Sequence, residues 1–201
     1  MKKFNFMIVH KQIMNKEEIM EYIKEGVMVR ETIDIDKILE ISTKIVNALK
    51  NGKKIILMGN GGSAADAQHI AAEIVGKFEI ERKALPAIVL HGNTSSLTAI
   101  ANDFGYDHVF ERQIEAFAQP GDVVIALSTS GNSENVIRGV IRAIEKNALV
   151  IGITGKKGGR MAKYIDDSNL IRVNSDRTPI IQETTITIGH IISKIIEESL
   201  M

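Results

Sequence analysis

The stretch "KIILMGNGGSAADAQHIAAEIV", residues 54–75, decides the fold. Ile55 to Met58 is an unbroken apolar run, Gly59-Asn60-Gly61-Gly62 is a glycine-rich turn, and an alanine-rich segment follows from Ser63. A strand with one wet face alternates apolar and polar residues. An unbroken run marks a strand buried on both faces, as in a parallel sheet covered by helices. Glycine lets the chain turn tightly from strand to helix with no Cβ in the way. Strand, turn and helix together are the first half of a β-α-β unit.

The same alternation extends outward. Downstream, "PAIVLH", "DVVIALS", "ALVIGIT" and "NLIRV" read as strands. Helices are predicted over 63–78, over 96–117 with a break near Gly105, over 133–146, briefly over 159–165, and over 179–200. Five strands alternating with helices require an α/β fold whose mostly parallel sheet is covered on both faces. Upstream, Asn15 caps a helix with Ile19, Ile23, Val27 and Arg30 at helical spacing. A second helix carries Ile38, Ile41, Ile45 and Leu49 and stops at Gly52. These two N-terminal helices are expected to pack on the same core or on a partner subunit.

A chain of 201 residues fits one α/β domain, here residues 15–201, behind an N-terminal extension over 1–14. Basic and acidic residues balance at 25 each, so the basic excess of a nucleic-acid binder is missing. With no cysteine, any metal must use imidazole, carboxylate or amide ligands. The apolar run Phe4 to Val9 is too short for a signal peptide, and Lys11 follows where a cleavage site is needed. No segment approaches the roughly 20 apolar residues of a membrane span. A cytoplasmic protein is expected, with no membrane or nucleic-acid partner, and Met14 is an alternative start.

Ligands of open parallel sheets collect at the carboxyl ends of the strands. Three glycine-bearing turns fall there: "GNGGSAAD", "STSGNSEN" and "TGKKGGR". The second places Ser128, Thr129, Ser130 and Ser133 around Gly131 where a helix begins. Open N–H groups and the helix dipole favour an anion there, and hydroxyls add donors without charge. No Walker lysine follows, so a small phosphate monoester suits the turn better than a nucleoside triphosphate. Gly59, Gly61 and Ala64 match a dinucleotide spacing. The next strand, however, ends in His91-Gly92-Asn93 rather than the acid that would hold a ribose. The third turn reads as an ordinary strand-to-helix turn.

His69 and Glu73, four residues apart, share a helix face and suit metal binding or proton transfer. Ala64, Ala65, Ala67, Ala71 and Ala72 keep that helix thin enough for another chain or a ligand to approach. On the last helix, Gln182 and His190 lie among isoleucines, where a histidine is more often part of the core; the other reading joins both to His69 and Glu73 as nitrogen and oxygen ligands, and spacing alone does not choose between them. His10, His91 and His108 read as histidines without a site role.

The blocks "GNGGSAADAQHIAAE", "SSLTAIANDFGYDHVF", "PGDVVIALSTSGNSENVI" and "IQE…GHII" together resemble the phosphoheptose isomerases of the sugar-isomerase (SIS) domain superfamily. The resemblance runs from about Ile35 to the end. It implies a three-layer α/β/α sandwich around a five-stranded sheet, in a homotetramer with active sites at subunit interfaces. It also implies the interconversion of sedoheptulose 7-phosphate and D-glycero-D-manno-heptose 7-phosphate, toward the heptose of surface polysaccharide. It makes His69, Glu73, Gln182 and His190 zinc ligands, with Glu73 and His190 as the catalytic pair. Asn60, Gly61, Gly62, Ser63, Asn102 and Asp103 then meet the sugar, with Glu73 and Gln182. Ser128, Thr129, Ser130 and Ser133 hold the phosphate. Two departures stand out: Asn93, where an acid is frequent, and Ile180 beside Pro179, where the family usually has Arg.

Ketose–aldose isomerisation needs a carboxylate to move a proton between two carbons and a second group to move one between two oxygens. Glu73 and His190 suit those roles. A partner-binding relative that attaches to the bacterial replication initiator lacks both groups, and this chain keeps both. Isomerisation of another phosphosugar is the remaining alternative.

Overall fold

The computed structural model describes residues 13–201. His10, the run Phe4 to Val9 and nearly all of the expected N-terminal extension lie outside them. Helix α1 (Lys16–Glu31) starts in a capping box: the Asn15 side chain accepts from the Glu18 N–H, and the Glu18 carboxylate accepts from the Asn15 N–H. Helix α2 (Ile35–Lys50) begins at Asp34, whose carboxylate accepts from the Lys37 N–H, and it buries the expected stripe of Ile38, Ile41, Ile45 and Leu49. Helix α1 buries only Gly26 and leaves Ile19, Met20, Ile23, Val27 and Met28 exposed. Its apolar stripe therefore does not pack on the core of its own chain.

Five strands follow: β1 (Ile55–Gly59), β2 (Ala87–Val89), β3 (Val123–Ser128), β4 (Leu149–Gly155) and β5 (Leu170–Val173). They form one sheet in the order β2-β1-β3-β4-β5, and all four pairings are parallel, with Leu57 beside Ile125 and Ile125 beside Ile151. Strand β2 is shorter than its apolar sequence predicts. It is an edge strand, and only Pro86 O, Leu90 N and the three residues between them bond to β1.

The period-2 pleat divides the core. Ile55, Leu57, Val123, Ile125, Leu127, Ile151 and Ile153 face a cluster built by α2, α3 (Gly62–Val75) and α7 (Thr178–Ser199). Ile56, Met58, Val124, Ala126 and Val150 face α5 (Val109–Phe117) and α6 (Glu134–Glu145), with α4 (Thr94–Phe104) at the margin. The result is the three-layer sandwich. Helix α4 starts earlier than predicted because the Asn93 side chain accepts from the Ser96 N–H as its cap, and the chain breaks at Gly105 as expected. No helix among the described residues is long and apolar enough to cross a membrane.

Candidate active site

From β1 the chain steps outward to β2, and from β3 it steps the other way through β4 to β5. The turns after β1 and β3 therefore open away from each other, and a crevice forms between them at the carboxyl edge of the sheet. A cavity of about 280 Å³ occupies it. Asn60, Gly61, Gly62 and Ser63 line one wall, Ser128, Thr129 and Ser133 the other, and Thr178 and Gln182 of α7 close the third side. Helices α3 and α6 both start without a side-chain cap. The Ser133 hydroxyl, at the N-cap of α6, has the Ser128 hydroxyl at 3.3 Å instead. Uncapped helix starts and hydroxyl donors around one cavity are the chemistry that can hold an anion.

Asn60 is held in one orientation. Asn135, 3% exposed, accepts from the Val136 N–H at 2.9 Å, which identifies its oxygen. That oxygen also accepts from Asn60 Nδ2 at 2.8 Å, and Asn135 Nδ2 donates back to Asn60 Oδ1 at 3.0 Å. The Tyr106 hydroxyl donates to the same Asn60 oxygen at 3.0 Å. Both acceptor positions of Asn60 are thus filled, and one amide N–H is left for a ligand.

The second group of residues lies between α3 and α7. His69 Nε2 is 3.1 Å from Glu73 Oε1, and His190 Nε2 is 3.5 Å from His69 Nε2. The ligating atoms of all three lie within 4.8 Å of one another. His190 is therefore no core histidine; its ring meets His69 edge-on, with centroids 4.9 Å apart. His69 sits seven residues into α3, about 10 Å from the glycine turn at 1.5 Å per residue. A ligand that touches both places must be extended, with an anion at one end.

Of the predicted residues, Asn60, Gly61, Gly62, Ser63, Ser128, Thr129, Ser133 and Gln182 line the crevice, while His69, Glu73 and His190 gather beside it between α3 and α7. Gln182 lies directly over Gly62, where an added Cβ would sit 2.7 Å from its amide carbon. Ser130 turns away: its hydroxyl accepts from the Asn132 N–H, and it lines an adjoining pocket with Thr129 and Lys157. Asn102 and Asp103 are exposed at the end of α4, bonded to each other, and do not line the cavity of this chain. His91 and His108 have local roles. His91 Nε2 donates to the Ala64 carbonyl, and burial, only partly countered by that bond, lowers its pKa; His108 pairs with Glu111. Ile180, at the position of the missing Arg, is fully buried.

Sequence reading missed Thr178, Asn135 and Tyr106. Thr178 had one weak signal, its place just before a proline that opens a helix. Asn135 and Tyr106 had none, because what they do is hold a residue far away in the chain.

Residues 20–155, more than half of the chain, match the SIS domain family. The chain is 46% identical over 196 residues to a probable phosphoheptose isomerase of Thermoplasma volcanium, covering 98% of this chain and 97% of the relative. It is 48% identical over 190 residues to the phosphoheptose isomerase of Sulfurimonas denitrificans, covering 92% and 96%. The solved phosphoheptose isomerase of Neisseria gonorrhoeae superposes with a TM-score of 0.84 at 40% identity, covering 90% of this chain and 98% of that one. Fold and crevice define a SIS-type sugar isomerase domain. Within that class, the chain belongs to the phosphoheptose isomerase family.

Proposed function

We propose that this protein interconverts sedoheptulose 7-phosphate and D-glycero-D-manno-heptose 7-phosphate. The observation that carries the reading is the separation of two groups of residues along one helix, α3. A hydroxyl-lined anion turn lies at one end, and His69, Glu73 and His190 lie about 10 Å along α3 from it. The phosphate docks at Ser128, Thr129 and Ser133, so remote binding energy positions the reacting carbons. The Glu73 carboxylate takes the proton from carbon 1 and returns it to carbon 2. His190 carries the proton from oxygen 1 to oxygen 2. The remaining Asn60 N–H donates to a sugar oxygen as charge builds on it.

Two imidazoles and a carboxylate, with no thiolate, are a donor set that zinc accepts. His69, Glu73 and His190 would hold the ion, with Gln182, from its place over Gly62, as the fourth candidate, and a ligand that also moves a proton would have to leave the ion during turnover. When bound, the ion polarises the sugar carbonyl and offsets the charge of the enediolate. The exposed apolar stripe of α1 and the open side of His69, which is 51% exposed, support a homotetramer that closes each site. Asn102 and Asp103 would then meet substrate only across a subunit boundary. The enzyme is taken to work in the cytoplasm, as one domain, supplying heptose for surface polysaccharide.

Incubation of the purified protein with sedoheptulose 7-phosphate, followed by NMR, tests the reading. Aldose signals should grow, and growth should stop after chelation and resume with zinc. No aldose from zinc-loaded protein rejects the substrate, a full rate after complete chelation rejects the metal, and light scattering from a fully active monomer rejects the tetramer.

The Ser133 hydroxyl has a separate test. Ser133→Ala should raise KM about tenfold or more, since one hydrogen bond to a charged group is worth about 1.5–3 kcal/mol. Its kcat should stay within about twofold, because the phosphate is held alike in ground and transition states. Steady-state kinetics decide it, and an unchanged KM removes Ser133 from the phosphate site.

A further inference from the structure

The segment between α3 and β2 has no regular structure, yet it is tied down by one buried acid. Glu197 lies two turns beyond His190 on α7 and is 1% exposed. Its Oε1 accepts from the Phe78 N–H at 2.9 Å, and its Oε2 accepts from the N–H groups of Glu79 at 2.8 Å and Ile80 at 2.9 Å. Arg82, with only 4% of its side chain exposed, brings Nε to 3.2 Å from Oε1, as an ion pair rather than an aligned hydrogen bond. Burial alone would push the Glu197 carboxyl up. The three N–H donors and Arg82 outweigh that and hold it below the ordinary glutamate range.

The other end of Arg82 reaches the catalytic helix. Its Nη2 donates to the Glu73 carbonyl oxygen at 2.7 Å, and its Nη1 donates to the Ile74 carbonyl at 3.0 Å. These are among the last carbonyls of α3, which have no partner within the helix. Phe78, whose N–H is held by Glu197, places its ring 5.6 Å from the His190 ring. At the opposite side of the trio, α3 and α7 already touch. An added Cβ at Gly189 would lie 2.5 Å from Ile70, and these two residues are the chain neighbours of His190 and His69. The helix pair is thus fixed close to the two histidines by packing and beyond Glu73 by the ion pair.

A buried ion pair is weak evidence for stability, because apolar side chains of like volume would join the same helices as well. What charge adds here is direction: one carboxylate and one guanidinium place five backbone groups of the α3 end and the 78–80 segment. We propose that Arg82 and Glu197 are positioning residues for the His69/Glu73/His190 site, holding the Glu73 end of α3 and the Phe78 ring in register with α7 so that the three ligating atoms converge on one metal ion. The proposal rests on reading that trio as a metal-binding catalytic site.

The test compares Arg82→Gln, Arg82→Lys and Glu197→Gln with a control, Asp122→Asn. Asp122 is also a buried acid, 2% exposed and paired with Lys54, but it precedes β3 at the amino ends of the strands, opposite the crevice. The readouts are the imidazole NMR signals of His69 and His190 in metal-free protein, zinc affinity by competition with a coloured chelator, and kcat and KM. Arg82→Gln and Glu197→Gln should shift or broaden both imidazole signals and weaken zinc about ten- to a hundredfold, the usual effect of removing an outer support of a metal site. Their kcat should fall while KM stays near the wild-type value, since the phosphate turn is untouched. Arg82→Lys, which keeps the charge and loses the fork, should fall between. Asp122→Asn should lower Tm without moving these readouts. Wild-type imidazole signals and zinc affinity in either Arg82→Gln or Glu197→Gln overturn the proposal. If Glu197→Gln does not fold, the two Arg82 variants decide. If the wild type binds no zinc, the metal reading fails by itself, and the imidazole spectra still decide the positioning role.

Discussion

Glu73→Gln should turn over sedoheptulose 7-phosphate at least about a hundredfold more slowly than the wild type, the lower end of what general bases contribute. That is about 2.7 kcal/mol of transition-state stabilisation. Glutamine keeps the size of the side chain and its ability to bond His69, which now lies 3.1 Å from the carboxylate. It cannot take a proton from carbon, and it is a poorer, uncharged metal ligand. The phosphate turn is left intact, so the variant should still be stabilised against heat by the sugar phosphate. Progress curves and thermal melts with and without substrate read both effects. Normal turnover would show that Glu73 is not the base. A wild-type protein that binds the sugar phosphate and never converts it would return the partner-binding alternative.

The second large effect is structural. Gly131→Ala should cost roughly 2–5 kcal/mol of stability, from two sources. Gly131 has φ +64°, where a Cβ costs about 1–2 kcal/mol. The new Cβ would also overlap the Gly158 carbonyl oxygen and lie 2.7 Å from the Gly158 carbonyl carbon. Those are backbone atoms that no rotamer change can move, and such overpacking costs about 1–3 kcal/mol. Against a typical total of about 5–15 kcal/mol, this loss is severe. Urea denaturation measures it, and a loss below about 1 kcal/mol would mean that the two turns do not press on each other. The third turn, which reads in isolation as a plain connection, packs directly against the 128–133 turn. Gly159 confirms the contact from the other side, since its own Cβ would overlap the Ser130 carbonyl oxygen.

Much of the site was legible because its signals are local. Ser133 stands at the start of α6 and accepts no role as an ordinary cap, which the hydroxyl-rich sequence around it already suggested. His69 and Glu73 meet because four residues bring helix side chains together. That His190 completes them rests on a contact across 121 residues, which no local pattern reports. The family resemblance implies that contact; the helix pair supplies its cause, through the close approach of Gly189 and Ile70.

The amino-acid sequence by itself determined the order and type of the elements. Unbroken apolar runs, glycine turns, the Asn15 cap and the Gly105 break each act over a few residues, so their effects do not depend on what lies elsewhere. The tertiary structure alone decided what each face covers. Periodicity shows that α1 has an apolar stripe, but not that the stripe stays exposed. Sequence neighbours put Asn102 and Asp103 in a family motif, but α4 carries them out of this chain's cavity. Nothing near Arg82 or Glu197 in the sequence points to the other, and they become a buried pair only because α3 and α7 pack side by side on one face of the sheet. Local preferences are set by neighbours a turn away, whereas burial and ion pairing are set by which elements the parallel crossovers make adjacent.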